Sequence, residues 1–339
     1  DRCETRLCLL GLAGLVTEAV MAHRRRGQLS LTEGLFGEAA GRCSDLDRLA
    51  GLLDWAALDG LVGGIHGGAM GRPGYPPGLL LRCLLLQQWH RLSDAGLEEA
   101  LADRLSFRRF AGLGLGEPVP DASTLCRFRQ ALLAAGLQDR LLAEVNRQLD
   151  GQGLILRTGT MIDASLVAAD ARRPRRGQPV GSGSDPDARW ASRANGRTCF
   201  GYKMHAAVDE TSQLIRRAIL TSAQVGDSPL AEALIQGDEA MVLADRAYAK
   251  EARRRTLAGR GIGDGILRKR RQGEPRDPAD RDRNAALSRR RQGVERVFGC
   301  LKRWYGMVRV RYRDLARNHL HLQLLAIAYN LRRAMVLVG

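Results

Sequence analysis

Apolar residues recur every three or four positions through the first part of the chain, and switch to strand-like runs near residue 153. Over residues 45–62 the stripe is Leu46, Leu49, Leu52, Leu53, Trp55, Leu58 and Leu61, which predicts an amphipathic helix. A Gly/Pro segment at 67–77 interrupts the pattern and reads as a loop. Residues 79–89 are almost wholly apolar, so they predict a central helix. Ser93 is placed to cap the next helix, with Asp94, Glu98 and Glu99 near its positive end. Asp121 opens a further helix over 125–137 that carries Arg127 and Arg129.

Strands are predicted at 154–156, 160–167, 202–209 and 214–221, the last two joined by a short turn. Residues 241–245 form a short buried strand that ends on an acid, and 265–268 a last strand. Helices are predicted at 228–236, where Ser-Pro opens the turn, at 250–258, and over a long stretch near 280–305. This order describes an α/β domain with a mixed sheet, preceded by an all-helical N-terminal domain. The boundaries are 1–27 as an extension, 28–150 for the helical domain (DNA binding or dimerisation), 153–310 for the α/β domain, and 311–339 for a packing helix. Within the α/β domain, residues 170–201 are rich in Pro, Gly, Ser and Arg and read as a mobile loop, as does the polar stretch 270–282. The apolar run 315–338 is interrupted by Asn318, His319, His321, Gln323, Asn330, Arg332 and Arg333. It reads as a packed amphipathic helix rather than a membrane span.

Charge changes this picture more than composition does. The 339 residues are 45% hydrophobic and 27% charged, enough for a core and long enough for two domains. The net charge is +16, and residues 246–339 hold 25 Lys and Arg against 8 Asp and Glu, whereas 1–245 hold 28 against 29. A coding bias toward arginine would not confine the excess to one third of the chain. A polyanionic partner follows, nucleic acid ahead of a membrane surface. The Arg-bearing helix at 125–137 is compatible with DNA docking, but without a recognition-helix signature it suits an ordinary helical bundle slightly better.

Seven scattered cysteines include no C-x-x-C pair, which argues against a zinc knuckle or a disulfide framework and suits a reducing cytoplasm. His319 and His321 lie about 200° apart on a helix and share no metal there. Residues 7–16 after Arg2 and Arg6 resemble a short signal h-region, but Glu4 comes early and Met21 begins a plausible start. We read residues 1–20 as upstream read-through or an extra helix rather than a targeting signal.

Near the end of the chain, Arg291, Glu295 and Lys302 recur at helical spacing, with Val294, Val297, Phe298 and Leu301 as the neighbouring buried stripe. In isolation the segment is explained better by a solvated charged helix with i,i+4 pairs. Two upstream acids shift the balance. Asp163 sits mid-strand among apolar residues, where a carboxylate is costly unless paired or metal-bound. Asp245 ends a strand, and strand ends line the crevice of open α/β sheets. Asp163, Asp245 and Glu295 are hard oxygen donors suited to Mg²⁺ or Mn²⁺, the setting of metal-assisted phosphodiester chemistry. A lone glycine cluster at 259–263 lacks a Walker lysine, which argues against nucleotide hydrolysis.

Together these motifs resemble a known family. Thr160-Met-Ile-Asp163-Ala-Ser, Gly201-Tyr202-Lys203-Met-His205 with Val208-Asp209, Leu243-Ala-Asp245-Arg-Ala-Tyr248, and Arg291, Glu295 and Lys302 resemble DDE transposases of bacterial insertion sequences, closest to the family named after insertion sequence five. Upstream, Gly71-Arg-Pro, Tyr75-Pro-Pro, Leu92-Ser-Asp94, Phe107-Arg-Arg-Phe110 and the run from Pro120 to Arg129 resemble that family's helical N-terminal domain. The resemblance spans roughly residues 28–333. It implies an RNase H-like catalytic domain whose Asp163, Asp245 and Glu295 hold two divalent ions, Mg²⁺ or Mn²⁺. It implies that Arg291 and Lys302 contact the phosphates of the element's terminal repeats, with Arg296 and Arg303 as further DNA contacts. Lys203, His205, Asp209 and Asp227 match family positions and take supporting roles. The family signature usually has Tyr three residues before the Arg; Ser288 stands there, which removes a stacking contact and keeps a hydroxyl for a phosphate. The partners implied are terminal-repeat and target DNA and a second copy of the chain, in the cytoplasm at the nucleoid, with no membrane. The rival readings are a DNA-binding protein without catalysis and a plain RNase H-like nuclease.

Overall fold

The computed structural model describes residues 43–65, 74–175, 184–192, 198–269 and 277–339. The expectations for residues 1–27, for the centre of the 67–77 loop, and for parts of 170–201 and 270–282 lie outside the described residues.

Among the described residues, seven helices precede the first strand: α1 (Ser44–Gly51), α2 (Trp55–Val62), α3 (Pro77–His90), α4 (Asp94–Asp103), α5 (Leu105–Ala111), α6 (Ala122–Ala134) and α7 (Gln138–Gly151). The stripe over 45–62 thus belongs to two helices. Asp54 breaks it by capping α2, its carboxylate accepting from the Ala56 N–H at 2.9 Å. Gln148 on α7 fixes the break, accepting from the Asp54 N–H at 2.8 Å and donating to the Asp54 carbonyl at 3.1 Å. Leu52 and Leu53 are both buried across it, so the apolar period continues through a chain that is no longer helical. Pro77 opens α3 at a position that needs no N–H, and Arg91 ends it in the left-handed region at φ 53°. Ser93 caps α4 through the Gly96 N–H at 2.9 Å.

Asp94 joins several of these elements. It accepts from Gln87 at 2.6 Å and from both terminal nitrogens of Arg129, and Arg311 lies 3.6 Å away. Arg129 is therefore buried inside the bundle, with its guanidinium spent on Asp94. Arg127, by contrast, is exposed.

The sheet follows: β1 (Thr160–Ala168), β2 (Arg189–Ser192), β3 (Thr198–Asp209), β4 (Ile215–Ser222), β5 (Met241–Ala244) and β6 (Gly263–Ile266). Its order is β2-β3-β1-β5-β6, with β4 on the same edge of β3 as β2. β1 is antiparallel to β3 and parallel to β5, and β5 is parallel to β6, so the sheet is mixed. Between β4 and β6 run α8 (Ala231–Leu234) and α9 (Glu251–Gly259). α10 (Pro278–Arg303) and α11 (Leu315–Val338) complete the helices of the described residues. Two expectations for the region of the sheet differ. Residues 154–156 are not a strand; Ile155 is buried and Leu156 is 49% exposed in an irregular link. Within the loop 170–201, residues 189–192 and 198–201 pair as strand instead.

Side-chain alternation sorts the two faces of the sheet. Ile162, Ala207, Val242 and Ala244 join Leu234 and Leu257 in a small core under α8 and α9. Met161, Met204, Ala206, Val208 and Leu243 face the other way, into the large core with α10, α11 and the N-terminal helices.

α11 departs from the amphipathic reading. Every residue from Leu320 to Leu331 is buried, including His321, Gln323 and Asn330. The polar groups are accommodated inside. Asn330 accepts from the Ile215 N–H at 2.8 Å and donates to Asn146 at 2.8 Å; Gln323 donates to the Ala218 carbonyl at 2.7 Å. His319 faces Asp139 at 2.7 Å, while His321 is packed edge-on against Tyr312, and burial pushes its imidazole down to about 3.

Gly201 marks where β3 crosses closest to β1. A Cβ there would sit 2.1 Å from the Val167 carbonyl oxygen and 2.6 Å from the Ala169 nitrogen, both backbone atoms. Gly201→Ala is expected to cost about 1–3 kcal/mol through forced backbone shifts, read as a lower melting temperature. A melting temperature equal to the wild type's would show that the strands separate without penalty.

Candidate active site

Asp163 and Asp245 meet because of strand register. The β1–β5 ladder pairs Ile162 with Ala244, so the next residue on each parallel strand is an acid. Asp245 turns the chain as β5 ends, its Oδ1 accepting from the Ala247 N–H at 2.8 Å. Burial lifts the Asp163 carboxyl above its ordinary range; Arg291 and the Ala164 N–H draw it back, and neighbouring Asp245 lifts it again. Two hard-oxygen acids crowded at the carboxyl edge of a sheet create a demand for positive charge.

α10 supplies it. Gly293 lets the helix lie against β1: a Cβ there would be 2.8 Å from the Met161 side chain. Two residues before it and nine after, the helix presents cations to the strand. Arg291 Nη2 is 2.9 Å from Asp163 Oδ2, and Lys302 Nζ donates to Ser165 Oγ at 2.5 Å. Asp163 and Ser165 alternate with buried Ile162 and partly buried Ala164, so both project toward α10. Ser165 is thus engaged by a lysine.

Glu295 lies between the two cations on α10, about 40° round the helix from Arg291. It is exposed, and among the described residues it makes no hydrogen bond or ion pair. Among those residues no three His, Cys, Asp or Glu side chains gather closely enough to hold a metal ion. The structure therefore brings Asp163 and Asp245 together and leaves Glu295 beside them on the helix. Arg291, one turn earlier, holds the position against Asp163 that a cation would take. Both aspartates fit a hard divalent ion: oxygen donors brought side by side by the parallel register.

The remaining expected contacts divide by position. Ser288 is exposed on α10. Arg296 and Arg303 are exposed about 140° and 120° round the helix from Arg291, away from β1. Lys203 and His205 project from the sheet face opposite to Asp163, since β1–β3 pairs them with Leu166 and Ala164. Lys203 is 2.7 Å from Asp227 and donates to the Val225 carbonyl at 2.8 Å. His205 is fully buried, bonded to Thr221 at 2.9 Å, and burial pushes it down to about 4, so it is neutral at pH 7. Asp209 accepts from the Arg157, Thr211 and Ser212 N–H groups and shapes the β3–β4 turn.

Tyr248 was legible only as a motif letter. It is 1% exposed, its hydroxyl has no hydrogen-bond partner among the described residues, and burial with Asp227, Asp163 and Asp245 nearby pushes it up. The roles of Ser165 and Arg311 also escaped the sequence. A serine two residues after Asp163 on a strand was the available signal for the first. Arg311 had none.

Residues 156–331 match the model of the transposase DDE domain family, and residues 38–131 match a second family described as transposase domain (DUF772). Among solved structures, the piggyBac transposase synaptic complex with hairpin DNA is similar at 10% identity and a TM-score of 0.41, over 87% of this chain and 73% of that one. The Mos1 strand transfer complex is similar at 13% identity and a TM-score of 0.19, over 76% and 96%. At such TM-scores the likeness carries no weight beside the family matches.

Proposed function

The chain belongs to the transposase DDE domain family and is a DNA transposase of insertion-sequence type, and on that premise we propose how its own residues carry the reaction. Catalysis in this family depends on divalent metal. The observation that carries the reading is the Asp163–Asp245 pair at the ends of adjacent parallel strands, overlain by Arg291 and Lys302 from α10. The strand order, three antiparallel strands followed by two parallel ones across β1, supports an RNase H-like catalytic domain. The ordered motifs support placement in the group named after insertion sequence five.

Asp163 and Asp245 would hold the metal, Mg²⁺ or Mn²⁺, with Glu295 as the third acid from α10. A bound divalent ion supplies Lewis-acid stabilisation of the charge that builds on the attacked phosphate. The chain's own groups do the rest. Arg291 and Lys302 hold the phosphates that flank the reacting one, and Ser165 keeps the lysine over the edge of β1. Water attacks phosphorus at the element end and the 3′ oxygen leaves as a hydroxyl; that hydroxyl then attacks a target phosphodiester in line. Each step exchanges one P–O bond for another, so no covalent enzyme intermediate is required. Two ions, two copies of the chain to pair two ends, and a nucleoid setting complete the proposal.

A strand-transfer assay with duplexes of the element's flanking repeats and Mg²⁺ tests it, wild type beside Glu295→Gln. The variant is expected to bind DNA as wild type does and to lose cutting and joining by about a hundredfold or more, the scale of several kcal/mol at the transition state. Cutting at the wild-type rate would remove Glu295 from the mechanism. Wild-type cutting without joining would make the chain a nuclease, and binding alone would make it a DNA-binding protein.

A further inference from the structure

On the far side of α10 from the acids lies a groove of about 530 Å³, lined by Trp89, Arg296, Cys300, Trp304, Tyr305 and Tyr329, with Gln213, Arg332 and Arg333 at its margins. Its composition is unusual for a protein surface: four aromatic rings, three guanidinium groups and no acid. Trp304 is 62% exposed, the cost of an apolar ring left in water, and the Arg303 guanidinium lies 5.1 Å from its centroid. Tyr305 and Tyr329 are in edge-on contact at 6.5 Å and form the floor. Arg333 donates to the Ser212 carbonyl at 2.8 Å, which fixes its position at the rim. The positive field is felt below: Arg332 draws down the Cys300 thiol that burial raises, and it adds to the burial that lowers His90.

An exposed indole beside cations, in a cleft without acids, matches a nucleobase and its phosphates better than an apolar peptide. We infer that this groove is a single-stranded DNA site, with one unpaired base stacked on Trp304 and the adjoining phosphates held by Arg296 and Arg332. It rests on the chain being a DNA-acting protein and not on the roles of Asp163, Asp245 or Glu295. Its place on the opposite face of α10 makes that helix a partition: duplex phosphates on the β1 side, an unpaired strand about one helix diameter (roughly 10 Å) away. The ligand class is sequence-tolerant, since every base offers a π face.

The test is fluorescence anisotropy in EDTA, where no cutting occurs, with a labelled duplex carrying a short single-stranded tail compared with a blunt duplex. The tail is expected to tighten binding about tenfold, within the range for one stacked base. Trp304→Ala should erase that preference and leave blunt-duplex binding intact, and Trp304→Tyr should restore most of it. Arg296→Gln with Arg332→Gln should weaken the tailed duplex and flatten its salt dependence. Glu295→Gln and Asp163→Asn should keep the preference in full, so failure of the catalytic assignments would not imitate failure here. A tail preference unchanged in Trp304→Ala overturns the inference. So does loss of self-association in Trp304→Ala, by sedimentation, with the tail preference untouched; the groove would then seat a second copy. Because Trp304 is largely exposed, its replacement is expected to leave the melting temperature unchanged.

Discussion

Asp163→Asn is expected to abolish DNA cutting and joining, by about a thousandfold or more, while the protein melts at or above the wild-type temperature. The two halves have one cause. The folded chain lifts the Asp163 carboxyl above its ordinary value of 3.8, chiefly by burial, and that net direction already includes the ion pair with Arg291. A native state that raises an acid's pKa holds the proton more tightly than the unfolded chain does. The favourable contribution is complete below 3.8 and lost as pH rises through the folded value. At neutral pH the ionised carboxylate is therefore a cost to folding. Asparagine copies the protonated form, still accepts from Arg291, and removes the cost along with the charge proposed to bind the metal. Thermal melts at pH 7 beside cleavage assays check both halves. A variant that keeps wild-type cutting, or melts well below wild type, would show that Asp163 is a structural ion-pair partner instead.

Arg216→Met is expected to lower stability by about 3–5 kcal/mol, the usual cost of leaving a buried charge without its partner. The side chain of Arg216 is 3% exposed and that of Glu239 0%, and Arg216 Nη1 lies 3.1 Å from Glu239 Oε2. The same nitrogen donates to Thr160 Oγ1 at 2.8 Å, and Arg216 reaches Asp238 and Gln236 as well. One guanidinium thus ties β4 to the first residue of β1 and to the segment leading into β5. These are the two strands that carry the acids. Deleting the arginine leaves the buried Glu239 carboxylate without its cation, still accepting from the Gly237 N–H at 3.2 Å. The double variant Arg216→Met with Glu239→Leu should recover most of the loss, because the pair as a whole gains little over apolar packing. Urea unfolding reads both, as a shifted midpoint at constant slope. A single-variant cost below about 1 kcal/mol would mean that water reaches the pair.

The strands that carry the chemistry were visible in the sequence because each has a period of two or a short apolar run bounded by turn residues. Residues 160–167 and 241–245 were read as strands, and Thr160–Ala168 and Met241–Ala244 are strands. What pattern does not contain is register. That Asp163 and Asp245 stand side by side depends on Ile162 pairing with Ala244, a tertiary choice between segments far apart in the chain. β2 was missed because four residues, Arg189 to Ser192, offer too few alternations to stand out from a polar loop. The reverse error at 154–156 has the same root, since three apolar residues carry no period. The break at Asp54 was hidden because Leu52 and Leu53 stay on the core side while the backbone turns. In α11 the amphipathic reading falls short: Asn330, Gln323 and His321 interrupt the apolar run in the sequence and are buried. A side chain that answers a distant backbone group, as Asn330 does for Ile215, leaves no mark that pattern can read.

The burial of α11 has a consequence for how the chain comes into being. It packs on α1, α3, α6, α7 and β4, all of which precede it, and Trp89 on α3 donates to its Ala328 carbonyl at 2.9 Å. Emerging from the ribosome, those elements have apolar surfaces with nothing to cover them until residues 315–338 are made. The large core therefore closes late, through contacts of long sequence separation, which slows folding and lengthens exposure to aggregation and proteolysis. A nascent chain stalled before Leu315 would hold Asp163 and Asp245 on an unfinished scaffold. Enzyme competence is in that sense a property of the completed polypeptide, withheld until translation has passed the last buried turn.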